Sequence, residues 1–311
     1  MRVPGSGEER FYASAIIPRP MIENAQPAVL ADRPPVGRTL LFRIAPQSDV
    51  PAALRRMRDG LSLECGVVGI GEPLVLALKK TVDGLRTFPA MSGPACSVPS
   101  TQEALCFLLR GPDRGVVFDL TQNIRELLGD AFLLVDSNDT FTYHGGRDLT
   151  RFEDGTENPK DDDAAAAALR EDGSSFLVVQ RWVHDLSRFR EFDEEDREML
   201  IGRRAESNEE IEDAPPSAHI KRTEQESFDP PMFMLRKSMP WANATQEGLE
   251  FVTQVKSLDV FEIMMKRMVG HEDGIVDGLF TFSRPVTGGY YWCPPVTNDR
   301  LDLTAILTGL G

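Results

Sequence analysis

The chain carries four histidines, His144, His184, His219 and His271. Imidazole is the side chain best suited to hold a metal or carry a proton near neutral pH. His184 stands beside Asp185 after an apolar run and needs no special role. His271 follows Gly270, where a helix is expected to end, and the helix dipole accounts for a cation there. His144 is ambiguous. His219 has a different context: the stiff approach Pro215-Pro216-Ser217-Ala218 precedes it, and Arg236 follows 17 residues later. The densest set of reactive groups is Gly146-Arg-Asp-Leu-Thr-Arg-Phe-Glu-Asp-Gly-Thr-Glu-Asn-Pro159. A carboxylate such as Asp154 can accept and return a proton. A guanidinium such as Arg236 can stabilise charge growing on a leaving oxygen. Asp154-Gly155 and Asn158-Pro159 favour turns, so the same stretch also reads as a polar loop between folded units. Asp161-Asp162-Asp163 reads as a solvated helix cap ahead of an alanine run, because carboxylates adjacent in sequence cannot all converge on one ion.

These residues must be positioned by elements legible from pattern. Gly37–Ile44, Cys65–Ile70, Ala131–Val135, Ser175–Val183, Met232–Ser238, Gly278–Phe282 and Tyr290–Trp292 read as strands. Asp49 is placed to cap a helix that stops at Gly60, and Ser100 with Glu103 has capping-box spacing for a helix ended by Gly111. Val116, Leu120, Ile124 and Leu127 predict a helix stopped by Gly129, and Ser137-Asn138-Asp139 predicts a turn. Asp193–Ile201 and Gln246–Val269 are further predicted helices, the second with Phe251, Val255, Leu258, Phe261, Met265 and Met268 on one face. Residues 214–222 predict a turn and a short extended piece holding His219. The order strand–helix–strand–strand–helix–strand recurs in each half, the split pattern of a ferredoxin-like domain. The expected fold is α+β: two antiparallel sheets with helices on their outer faces.

Bulk properties narrow the function. With 311 residues, 41% of them hydrophobic, the chain can build one large domain or two ordinary ones. A net charge of -15 makes nucleic acid an improbable partner. No apolar run reaches membrane-spanning length, and the first 20 residues lack the apolar core of a secretion signal, so a cytoplasmic location is expected. Cys65, Cys96, Cys106 and Cys293 show no metal-ligand spacing and read as reduced thiols.

The stretch 146–159 resembles the central signature of the dye-decolorising peroxidases, in the bacterial B-type-like subgroup. Three other segments look like that family's haem-binding half: Ile201-Gly-Arg203, Ala218-His-Ile-Lys-Arg222 and Leu235-Arg-Lys-Ser-Met-Pro240. The resemblance runs from about Ala25 to Pro295. It implies a haem-dependent peroxidase that uses hydrogen peroxide to oxidise dyes, phenols or Mn²⁺ through an oxoferryl intermediate. One haem b per chain is implied, its iron ligated by His219, with Asp154 and Arg236 on the opposite, distal face. Ser238 matches a small polar distal neighbour, and Asp277 stands at the place of the acidic partner of the histidine. By proximity to these motifs, Glu153, Gly155, Thr156 and Arg203 complete the candidate cofactor-binding set, with Arg203 or Arg204 and the backbone of residues 154–158 as candidates to meet the haem carboxylates. Lys237 is expected to point away from the haem, since neighbours along an extended segment alternate.

The resemblance also implies two ferredoxin-like domains in a barrel-like arrangement, residues 26–145 and 146–311, preceded by an arm over 1–25, and a homo-oligomer. One departure is visible: the family pattern has glycine where this chain has Arg151, so the loop is expected to be strained or shifted there. Trp182, Trp241, Tyr290, Tyr291 and Trp292 read as ordinary packing, with a role as electron relays the alternative. Two rival readings stand beside the enzyme. One is a haem-handling protein with incidental peroxidase activity. The other is a haem-free acidic metalloprotein.

Overall fold

A computed structural model describes residues 19–310. The expected N-terminal arm therefore lies largely outside the described residues; its last part forms a short helix, Arg19–Glu23. Ten strands make one antiparallel sheet. In chain order they are β1 (Val36–Ile44), β2 (Gly66–Gly71), β3 (Leu105–Gly111), β4 (Phe132–Phe141) and β5 (Ser175–His184). They continue with β6 (Leu235–Arg236), β7 (Met239–Ala242), β8 (Glu247–Val255), β9 (Ser283–Pro285) and β10 (Gly289–Cys293). Eight strands close a ring in the order β5-β10-β2-β3-β1-β4-β7-β8, because β8 also pairs with β5 from Gly248↔Val183 to Val255↔Phe176. The expected pair of sheets is thus one continuous surface, joined where β10 meets β2 and where β4 meets β7. The second joint is a single bridge, Thr140↔Trp241. Beside it the strands diverge, and Arg181 fills the gap by pairing with both Asp136 and Glu250, while Asn138 donates to Glu250.

The helices pack outside this ring. Helix α1 (Val50–Gly60) is capped by Asp49, which accepts from Ala52 N at 3.0 Å. Helix α2 (Arg114–Leu128) stops at Gly129 as expected, but its buried face is Val117, Thr121, Ile124 and Leu128, leaving Val116 40% exposed. Helix α3 (Asp161–Ala168) carries the three aspartates in its first turn. Helices α4 (Glu194–Ile201), α5 (His219–Thr223) and α6 (Leu258–Met268) belong to the second half.

Several elements differ from expectation for identifiable reasons. The segment after Glu103 is strand β3, not a helix, because Glu103 pairs with Arg43 instead of capping and the apolar run that follows suits a buried strand. The long helix expected over 246–269 is strand β8 followed by α6, with Ser257 capping the helix. Phe251 and Val255 lie four apart, a spacing that keeps one face in either a strand or a helix. The expected turn at 137–139 continues β4: Asn138 turns inward to Glu250, and Asp139 pairs with Arg38 and Arg114. Gly278–Thr281 is a 3₁₀ turn capped by Asp277. Within 232–238 only Leu235–Arg236 pairs as strand, and His219 opens a helical turn instead of extended backbone.

The main core lies between the outer sheet face and the helices, with Leu40, Phe42, Leu54, Ile70, Leu105 and Phe107 fully buried. Phe107 meets Phe42 edge-on, ring centroids 5.7 Å apart. Phe107→Ala is expected to cost about 3–5 kcal/mol, read as a lower midpoint in equilibrium urea unfolding.

Candidate functional site

The stretch between β4 and α3 is held by its own polar groups. Arg147 donates to the carbonyls of Arg151 (2.6 Å) and Ala205 (3.1 Å) and to Glu153 (2.9 Å). Asn158 pairs with the backbone of Arg236 in both directions: its Nδ2 donates to Arg236 O at 2.6 Å, and its Oδ1 accepts from Arg236 N at 2.9 Å. Gly155 adopts φ +79°, and a Cβ there would come within 2.9 Å of Asn158 Nδ2, so this turn needs glycine. Arg151 adopts φ +75°, so the loop keeps the left-handed backbone that glycine favours and Arg151 accepts the strain.

Asp154, His219 and Arg236 converge. All three line a cavity of about 610 Å³ walled by Met234, Leu249, Phe251, Phe261, Met265 and Leu279. The same three line a cleft of about 810 Å³ that also holds Glu153, Gly155, Thr156 and Arg203. His219 Nδ1 lies 2.8 Å from Asp277 Oδ2, and the Asp277 side chain is fully buried. Asp277 Oδ1 accepts from Leu279 N at 2.8 Å, which fixes the carboxylate's direction. An ionised carboxylate only accepts, so His219 Nδ1 carries the proton and Nε2 keeps its lone pair for a ligand.

Asp154 is mostly buried, its side chain 18% exposed. Burial raises its pKa above the usual carboxylate range, against the opposing pull of Arg236 and Arg33. Arg33 is a site residue that sequence reasoning missed. It donates to Asp154 Oδ2 (3.4 Å) and Asp154 O (3.2 Å), and to the carbonyls of Gly146 and Ser238, both at 3.3 Å. No local motif marks it, since it reaches the site across 121 residues of sequence.

His184, to which sequence gave no role, is a second omission. It is buried and lines the smaller cavity. Its Nδ1 lies 2.6 Å from Ser283 Oγ and its Nε2 3.1 Å from Asp148 Oδ1. Burial alone would raise the Asp148 carboxyl, but the charge and hydrogen bond of His184, with hydrogen bonds from Thr150, hold it at about 2. The neighbouring pair His184-Asp185 gave a hint of polarity, yet only the fold shows that Asp148 is the partner.

The remaining expected residues divide. Glu153 and Thr156 bond Asn208 at the cleft, and Arg203 bonds Glu157 at 2.7 Å. Ser238 is fully buried, its Oγ has no protein partner, and it does not line either cavity. Lys237 turns away as expected and donates to the carbonyls of Val29 and Ala31. His271 is exposed and bonds Ser92 O, and His144 is exposed with φ +40°. Trp182 is buried with its indole N–H donated to Gln180 Oε1 at 3.3 Å. No group of three or more His, Cys, Asp or Glu poised to hold a metal ion occurs among the described residues. The aspartates of α3 lie in its first turn, where the helix dipole favours their charge, and the helix has no side-chain capping hydrogen bond.

An antiparallel α+β barrel with peripheral helices is the arrangement of the Dyp-type fold class. Residues 145–298 match the sequence model of the family described as Dyp-type peroxidase, C-terminal. The chain is 31% identical over 298 residues to a dye-decolorizing peroxidase of Rhodococcus erythropolis, covering 90% of this chain and 81% of that one. It is 30% identical to one of Brevibacterium linens, of whose length the match spans 62%. DypB from Rhodococcus jostii RHA1, solved as a variant in complex with heme, superposes with a TM-score of 0.80 at 30% identity, over 86% of this chain and 95% of that one. The chain belongs to the dye-decolorising peroxidase family.

Two opposite linkage effects follow from the two aspartates. Asp148 is depressed in the fold, so its contribution is present above the unfolded pKa and lost as pH falls from about 4 towards 2. Asp148→Asn is expected to cost on the order of 2–3 kcal/mol at pH 7, a difference that shrinks in acid. Asp154 is raised, so its ionised form opposes folding as pH rises through the folded pKa. Asp154→Asn in haem-free protein is expected to stabilise at pH 7 and to be neutral below about pH 4, where both forms are uncharged. Denaturant unfolding across pH 3 to 8 checks both signs.

Proposed function

We propose that the chain is a haem-dependent peroxidase that reduces hydrogen peroxide and oxidises dyes, phenols and other one-electron donors. The observation that carries this is the Asp277–His219 pair at 2.8 Å, its free Nε2 opening on a cavity shared with Asp154 and Arg236. The cavity suits a tetrapyrrole: its walls are apolar, and two buried donors within it, Arg236 Nε and Gln180 Nε2, have no protein partner. Such orphaned donors call for a polar guest. His219 would hold the metal, and Arg203 with the backbone of residues 154–158 would meet the carboxylate arms at the cleft.

Bound haem b supplies an iron that accepts the oxidising equivalents of peroxide and passes them on one electron at a time. The chain's own residues do the rest. Asp277 accepts the Nδ1 proton of His219, which makes the imidazole a stronger donor. Ionised Asp154 takes the proton of the near peroxide oxygen and returns it to the departing oxygen, which leaves as water. Arg236 is always cationic and stabilises the charge on that oxygen while the bond breaks. Arg33 and Asn158 hold these two side chains in register. The apolar wall excludes bulk water and strengthens both electrostatic contacts. Because burial raises Asp154, the peroxide step loses its base at a higher pH than an exposed aspartate would.

No helix among the described residues is long and apolar enough to cross a membrane. Free cysteines support a reducing, cytoplasmic setting, and the family resemblance supports a homo-oligomer. After reconstitution with haem, His219→Ala is expected to lose the histidine-ligated ferric spectrum, and an unchanged spectrum would overturn the assignment. Arg236→Leu and Asp154→Asn are each expected to lower peroxide-driven dye oxidation about 100-fold while haem binding persists. Rates no better than those of free haemin in the unmodified protein would favour a haem-handling role instead.

A further inference from the structure

The eight-stranded ring has an inside that the reaction does not use. A closed ring of this size is just wide enough to be filled by side chains or to hold one small ligand. Part of it is filled: Leu41, Cys106, Leu177, Val179, Tyr291 and Cys293 are buried in one cluster. Another part is open, a cavity of about 590 Å³. Val67 of β2, Leu108 of β3 and Val252 of β8 give it apolar walls, with Met239 of β7 beside them. The cavity is separate from the haem site, since none of Asp154, His219 and Arg236 lines it.

Its charge is lopsided on a chain that is acidic overall. Four cations line the cavity, Arg33, Arg38, Arg110 and Lys237, against two carboxylates, Asp32 and Glu250. Arg38 is paired with Asp139, and Arg33 with Asp154. Glu250 is buried, paired with Arg181 and accepts from Asn138. Asp32 is exposed. That leaves two cations without a carboxylate partner among the described residues. Lys237 donates to the carbonyls of Val29 and Ala31, and Arg110 donates to the carbonyl of Asp32. Burial, with repulsion from Arg110 and Arg33 and against the pull of Asp32, pushes the Lys237 ammonium down to about 8. A largely desolvated ammonium held by carbonyl oxygens, with a second unpaired cation nearby, is short of an anion.

We propose that this cavity is a second ligand site, inside the barrel, for a short aliphatic monocarboxylate. Its acid group meets Lys237 and Arg110, and its hydrocarbon chain lies along Val67, Leu108 and Val252. A carboxylate accepts charge-assisted hydrogen bonds from both cations, and the chain removes apolar wall from water. Inorganic phosphate satisfies the cations but covers none of that wall. An alkylammonium covers the wall but meets like charge at the mouth. The ligand is bound and not consumed, so the site stands apart from the peroxidase reading.

The test is calorimetric titration of haem-loaded protein at pH 7 with hexanoate, hexylammonium and inorganic phosphate. Loaded protein keeps the acid out of the haem site, and the Soret band is expected to stay unchanged throughout. Hexanoate is expected to bind once per chain, and the other two probes far more weakly. Lys237→Met keeps an unbranched side chain without the charge and is expected to weaken hexanoate about tenfold, the effect of one charge-assisted hydrogen bond. Ala28→Trp fills the cavity from a half-buried wall position and is expected to abolish binding with a melting temperature close to the parent's. Affinity in the parent is expected to fall as pH rises through about 8, where Lys237 loses its proton. Should Lys237→Met fold poorly, Ala28→Trp and the pH dependence decide. Absence of saturable hexanoate binding, an affinity that neither Ala28→Trp nor pH moves, or a Soret shift that tracks the titration overturns the proposal. Protein that takes up no haem would refute the peroxidase reading instead, and the comparison of Ala28→Trp with the parent would still decide whether the barrel binds.

Discussion

The site depends on one side-chain amide. Asn158 exchanges two hydrogen bonds with the backbone of Arg236, as a neighbouring strand would. That exchange fastens the signature loop to the segment carrying the guanidinium, across 78 residues of sequence. Asp154 and Arg236 are therefore tied together through the backbone. Their placement is set by a local, geometrically strict contact and not by the long loop between them. Arg33 adds a third strand of chain to the same knot by gripping Asp154 at its backbone and its carboxylate. In the proposed roles of proton acceptor and charge stabiliser the two side chains must lie within a few tenths of an ångström of their working positions, and such cross-links supply that precision where loops alone do not.

The two aspartates of the loop show how function and stability are divided. Asp148 is buried with the His184 imidazole as its partner and contributes to holding the fold together. Asp154 is buried facing a cavity, and its charge works against folding. Six residues apart in one loop, they have opposite thermodynamic signs because Asp148 has an imidazole at 3.1 Å and two hydrogen bonds from Thr150, while the Arg33 contact to Asp154 is longer, 3.4 Å. A carboxylate proposed to exchange protons cannot also be fully satisfied.

Much of this was legible in the sequence. Strands β1, β2, β5 and β10 and helices α1, α2 and α4 follow from pattern, and the candidates His219, Asp154, Arg236 and Asp277 follow from motif. The failures share a cause. Phe251 and Val255 fit strand and helix equally, and Glu103 fits a helix cap until Arg43 claims it. Asn138 and Asp139 look like a turn because they are polar, but Asn138 fills the inside of a barrel seam and Asp139 pairs with Arg38 and Arg114 on the outer face. Arg33 and His184 could not be read at all, since their importance lies in partners 121 and 36 residues away. Periodicity reports which face is covered, not what covers it.

The closure of the ring has a bearing on how the chain is made. Strand β2 finishes at Gly71, but its outer neighbour is β10, through Tyr291↔Gly71 and Trp292↔Ile70. A ribosome emitting the chain from its N-terminus leaves that edge bare for over two hundred residues, tens of seconds at about 5–20 residues per second. The first half thus spends most of its synthesis as an open-edged, sticky sheet. Truncation before Gly289 removes the strand that shields it, so chains stopped short of that point are prone to associate with one another before they can ever hold a porphyrin.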